Sequence, residues 1–189
     1  FMANIKQISP LGGSIPLSFN FEGFNILEVI NCSFVVLCSR KDCETKLNKL
    51  FKKKFNIGLP SIAKSSFSDN LILRWIRQNT WLIEEPYCEI DKLEKKIKNN
   101  VGNLGSIVNQ SDEWCLFDLT GFHCIKVLER LCNVDVERMA KGDISATRLE
   151  HLSCFVICKT EQVKFRIMGP RSAAGSLYHA IYTTAISVI

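Results

Sequence analysis

The most constraining feature of this chain is a repeated alternation. Short apolar runs, too close together to be joined by crossover helices, are interrupted by stretches of helical period. Ser33–Cys38 is a β-branched apolar run that reads as a buried strand, and residues 42–56 carry Cys43, Leu47, Leu50, Phe51 and Phe55 at helical spacing before Gly58 and Pro60 close the helix. Asn70–Ile76 and Thr80–Glu84 flank Arg77-Gln78-Asn79 as a hairpin, and residues 89–100 read as a second surface helix. Beyond Gly102 and Gly105 the order recurs. Strands are expected at Ser106–Gln110 and Trp114–Leu119 around the turn Ser111-Asp112-Glu113, then a helix over Gly121–Cys132. Further strands are expected at Ile144–Leu149, Ser153–Cys158 and Val163–Met168, and a last helix after Pro170-Arg171 with Ser172 as its N-cap. Two-residue and three-residue turns impose antiparallel pairing, so the expected class is α+β: two β-α-β-β-α-β-like halves, mostly antiparallel sheet with helices on one face. The halves are 31–102 and 103–189 within a single domain, and Pro10, Gly12, Gly13 and Pro16 predict an extended arm over 1–30.

Charge and cysteine content narrow the function classes. The net charge of +5 is local: residues 40–64 hold eight basic side chains against Asp42 and Glu44, and the rest of the chain is essentially neutral. That basic segment is Lys-rich and its aromatics belong to the apolar stripe, which predicts a solvated helix face and no nucleic-acid partner. The longest nearly uncharged apolar stretch, Leu177–Ile189, is too short and too rich in Tyr, Thr and Ser for a membrane span. Phe1–Lys6 has no signal-peptide apolar core, so a cytoplasmic location is expected. The nine cysteines, at 32, 38, 43, 88, 115, 124, 132, 154 and 158, form no Cys-x-x-Cys pair, and His123, His151 and His179 stand 28 residues apart. Neither zinc nor a disulfide framework fits that spacing, and most of the thiols are expected to act as small buried hydrophobes.

No phosphate-cradling glycine loop or nucleophile elbow occurs, and Glu84-Glu85 and Asp112-Glu113 are adjacent turn residues unsuited to acid–base pairing. Three features stand out. Asp118 interrupts an apolar run; the expectation is a partly solvated face shared with Leu116, the alternative a half-buried carboxyl with a shifted pKa. Arg148 and Arg171 sit by later strand ends, and Arg171 precedes an expected helix N-terminus, a place suited to an anion. Trp75 and Trp81 flank the first hairpin turn, where an exposed indole would serve a protein partner.

The order of short segments resembles the gamma subunit of heterotetrameric sarcosine oxidase. The residues that carry this are Ser9-Pro10-Leu11-Gly12, Asn25–Glu28, Leu59-Pro60, Asn79–Ile83, and Val108–Ser111 leading into Leu116–Gly121. They continue through Val127–Leu128, Leu131–Asp135, Gly142, Thr147–Leu149, Pro170–Ser172 and Leu177, so the resemblance spans about residues 9–186. Lys, Asn and Ile stand where Ala, Arg and Leu are common in that family, a compositional drift.

The resemblance implies a non-catalytic subunit with a fold like part of the T-protein folate-binding domain. It implies alpha, beta and delta partner subunits that hold NAD, FAD, FMN, tetrahydrofolate and zinc, with no cofactor on this chain. The assembled complex would oxidise the N-methyl group of sarcosine, giving glycine, hydrogen peroxide and formaldehyde or methylene-tetrahydrofolate. A free-standing, aminomethyltransferase-like folate protein is the competing expectation, and Asp118, Arg148 and Arg171 are its folate or anion candidates. Against it, the Lys-x-Gly-Cys-Tyr-type signature of related folate-binding proteins is absent from the sequence.

Overall fold

A computed structural model describes residues 8–86 and 92–189. Its elements run β1 (Ser18–Phe21), β2 (Phe24–Glu28), β3 (Cys32–Ser39), α1 (Glu44–Phe55), β4 (Ser65–Phe67), β5 (Ile72–Arg77), β6 (Thr80–Pro86) and α2 (Lys92–Val101). There follow β7 (Gly105–Asn109), β8 (Trp114–Gly121), α3 (Cys124–Leu131), β9 (Ile144–Leu149), β10 (Leu152–Thr160), β11 (Lys164–Pro170) and α4 (Ala174–Val188). The class is α+β, as expected. The first part of the helix expected over 89–100 lies outside the described residues, and its remainder is α2.

The chain divides into two units, one of residues 31–112 and 142–145, the other of 1–30, 113–141 and 146–189. In the first, a five-stranded sheet of order β4-β5-β6-β3-β7 turns Val35, Leu37, Leu73, Trp81 and Ile83 toward Leu47 and Phe51 of α1 and Leu93, Ile97 and Val101 of α2. Each fully buried Leu, Ile or Phe contributes about 1.5–3 kcal/mol. The second unit has a six-stranded sheet of order β1-β2-β8-β11-β10-β9. Its core joins Phe24, Ile26, Phe117, Leu119, Phe165 and Ile167 to the apolar faces of α3 and α4.

This division differs from halves at 31–102 and 103–189. Ser111-Asp112-Glu113 does not close a hairpin, because β7 is the edge of one sheet and β8 a central strand of the other. The burial patterns explain the parting: β7 alternates as a strand with one wet face does, whereas Cys115 to Leu119 of β8 are all buried.

Of the extended arm expected over 1–30, residues 1–7 lie outside the described residues, and the later part is corrected. Residues 18–28 form a hairpin whose two-residue loop, Glu22-Gly23, has positive φ at both positions, the geometry a right-twisted ribbon prefers. Strand β2 then pairs with β8, from Phe24–Gly121 to Glu28–Phe117. Gly121 (φ +131°) is needed there, since a Cβ would collide with the Gly23 carbonyl. That pairing keeps β8 extended through Gly121, so α3 begins at Cys124 rather than at Gly121. Helix α1 likewise starts after Asp42, whose left-handed φ of +60° breaks the turn. Ser172 is not an N-cap: it lies inside a 3₁₀ turn, Arg171–Ala173, and no side chain caps α4.

Candidate functional site

The β5–β6 hairpin places Trp75 directly opposite Trp81. Trp81 is buried and its indole N–H donates to the Pro60 carbonyl at 3.2 Å, which fixes the segment following α1 beside the hairpin tip. Trp75 is half-buried, and Ile62 across from it is 72% exposed. Between them runs an open cleft of about 720 Å³, rimmed by Glu44, Arg77 and Asn79. Two indoles, a proline and an isoleucine beside one acid and one guanidinium suit an amphipathic protein surface. The two tryptophans singled out in the sequence therefore come together in one place.

Asp118 is buried rather than half-solvated. Its Oδ1 accepts from Arg166 Nε at 2.6 Å, and its Oδ2 accepts from Arg166 Nη2 at 3.2 Å and from Lys159 Nζ at 2.9 Å. Burial pushes the carboxyl pKa up, but the Arg166 and Lys159 hydrogen bonds outweigh it and hold the group below its ordinary range. Burial, and then the Arg166 charge, draw the Lys159 ammonium below its own ordinary range. A carboxylate so saturated is a poor proton carrier for a folate nitrogen.

Arg148 is exposed on the edge strand β9. Arg171 donates from Nη2 to the Ile8 carbonyl at 2.8 Å and from its backbone N–H to the Glu113 carbonyl at 2.8 Å. It is thus engaged with the incoming N-terminal segment, which Glu28 also anchors: this buried carboxylate accepts the N–H groups of Leu11 and Leu17, each at 3.0 Å. The three folate or anion candidates do not converge. Arg171 follows Pro170, which pairs with Trp114, about 13 Å along β8 from Asp118, and β9 lies three strand spacings, about 14 Å, from β8. They build no pocket for a pterin. What sequence reading missed is the pair of partners that do meet Asp118, Lys159 and Arg166; their signal is a basic residue on each strand near the β10–β11 turn.

The thiols are placed by packing. Burial, reinforced by Cys154, pushes Cys115 up to about 12, and burial alone pushes Cys124 to about 12. Cys88 lies outside the described residues. Among the described residues no group of three His, Cys, Asp or Glu could hold a metal ion. Among them, too, no helix is long and apolar enough to cross a membrane.

No protein-family model matches the chain, and no curated protein sequence matches it. Solved structures do. The chain is similar to one from heterotetrameric sarcosine oxidase of Corynebacterium sp. U-96, with TM-score 0.76 and 15% identity over 87% of this chain and 85% of that one. It is also similar to the glycine cleavage system aminomethyltransferase T of Bartonella henselae, with TM-score 0.63 and 12% identity over 84% of this chain. Here it spans 45% of the other chain, less than half of that enzyme. The fold is therefore the one expected, shared with a sarcosine oxidase chain and with part of a T-protein.

Proposed function

We propose that the chain is a non-catalytic, gamma-type subunit of a heterotetrameric sarcosine oxidase. Its role is to support the oxidative demethylation of sarcosine to glycine, with the one-carbon unit captured by tetrahydrofolate. The observation that carries this reading is the length-matched similarity: one fold accounts for 87% of this chain and 85% of a chain from such an enzyme. The Trp75–Trp81 cleft supports it as a surface for an alpha, beta or delta subunit, and NAD, FAD, FMN, tetrahydrofolate and zinc belong to those partners. The test is recovery of the tagged chain from its native host. A co-purifying complex of larger subunits, yellow from flavin and releasing hydrogen peroxide with sarcosine, is the expected result; a colourless chain recovered alone contradicts it. Truncating residues 1–30 is not a usable test, because it removes β1 and β2 from the sheet.

A second reading, a free-standing folate-binding aminomethyltransferase-like protein, is favoured only by the T-protein likeness, which covers 45% of that enzyme. Tetrahydrofolate titration of the isolated chain separates the two: saturable binding weakened by Arg148→Ala or Arg171→Ala supports the second.

A further inference from the structure

One face of the six-stranded sheet, turned away from α3 and α4, carries a polar cluster that this function leaves unused. Directly opposed residues of an antiparallel ladder share a face, and alternate residues return to it. The three-residue rows Leu27–Asp118–Arg166 and Asn25–Thr120–Lys164 therefore lie side by side on that face. The β10–β11 register shifts between Cys158 and Thr160, and the extra residue of this bulge is Lys159. A bulge re-aims its side chain, and here Lys159 reaches across β11 to Asp118.

One carboxylate serves three cations. Arg166 holds Asp118 at 2.6 Å, and Lys159 at 2.9 Å and Lys164 at 4.0 Å share its other oxygen. The Asp118 and Arg166 side chains are 7% and 5% exposed, while Lys159 and Lys164 keep 31% and 39%. Glu161, in the turn between β10 and β11, is exposed and accepts instead from the Lys141 backbone at 3.4 Å. Beside the lysines, Leu27 is 41% exposed, and the buried Asn25 Oδ1 has no hydrogen-bond partner. Two ammonium groups partly held out of water share one carboxylate with Arg166, so the described contacts gather more positive than negative charge.

We infer that Lys159 and Lys164, seated by the β10 bulge on the Asp118–Arg166 pair, are the docking point for a carboxylate side chain of a partner protein. A protein carboxylate arrives on an apolar stem, which matches the exposed Leu27 beside the lysines, and complementary charge sets the register and rate of such an encounter. The identity of the partner rests on the subunit reading above; the chemistry of the docking point does not.

The test compares full-length wild type, K159Q/K164Q, K159R/K164R and the remote control K46Q/K49Q, with folding verified by thermal melting. Captured at about 150 mM salt from the native host, the flavin-bearing complex should fall at least tenfold for K159Q/K164Q and hold for the other three. Equal capture by all four overturns the inference and leaves the subunit reading standing. If wild type captures no flavoprotein, the subunit reading falls, and titration with a hexa-aspartate peptide decides the docking point. Binding weakened at least tenfold in K159Q/K164Q and restored in K159R/K164R upholds it; no binding, or binding indifferent to these lysines, overturns it. Inorganic phosphate bound as tightly as the peptide, with the same lysine dependence, makes it a small-anion site and overturns the protein assignment.

Discussion

Each sheet buries an arginine–carboxylate pair on the face away from its helices, and the two pairs are built differently. In the five-stranded sheet Arg74 meets Glu84 at 2.6 Å, the Ser65 hydroxyl accepts from Arg74 and the Cys32 thiol donates to Glu84. In the six-stranded sheet Asp118 is ringed by Arg166, Lys159 and Lys164, two of which keep a third of their surface in water. The first arrangement sets one buried guanidinium against one carboxylate. The second gathers more positive charge than its own carboxylate answers. Burial of an ion pair is weak support for stability either way, but removing one partner is costly, and the cost depends on what charge is left behind.

The largest effect should separate the two pairs. Asp118→Asn leaves three cations converging on a neutral amide and should cost about 3–5 kcal/mol. Glu84→Gln leaves the single buried guanidinium of Arg74 on a neutral amide that still accepts its hydrogen bond, and should cost about 3 kcal/mol. Urea unfolding of both variants checks the order, and equal losses would erase the distinction. Glu28→Gln, at a carboxylate that binds only backbone N–H groups in the contacts described above, should cost about 1.5 kcal/mol. Hydrogen exchange should show that loss confined to residues 8–17, with the sheet protected.

The acid limb sharpens the contrast further. Asp118 binds its proton more weakly folded than unfolded, so its contribution is complete above the ordinary carboxylate range and is lost as pH falls through that range to the lower folded value. Urea midpoints between pH 7 and pH 3 should fall more steeply for wild type than for Asp118→Asn. Parallel curves would mean that Asp118 is not held charged by its neighbours. The smallest effect is kinetic: iodoacetamide at pH 8 should label half-buried Cys43 well before Cys115 or Cys124, whose thiols burial holds near 12.

Local pattern made much of this fold readable. The run Ser33–Cys38, the apolar stripe Leu47–Phe51 and the hairpin about Gln78 each announce an element from neighbouring residues alone, and the hairpin's symmetry already sets Trp75 across from Trp81. The β1–β2 hairpin was readable too, in Phe19, Phe21, Phe24 and Ile26 alternating about Glu22-Gly23, but the prolines and glycines before it spoke for an arm. What local pattern could not carry is pairing at a distance. Asp118 stood out as a charge in an apolar run, yet its partners lie 41 and 48 residues away and meet it only across three strands. The parting of β7 and β8 into separate sheets was hidden for the same reason, since a four-residue link looks like any hairpin turn.

The central claim, that this chain serves a sarcosine-oxidising complex without catalysing its chemistry, is tested most directly by removing the chain from its host. Deletion should abolish both the flavin-bearing complex and sarcosine-dependent hydrogen peroxide in extracts, and the wild-type chain supplied in trans should restore them together. Unchanged peroxide production and an intact complex in the deletion strain would contradict the account.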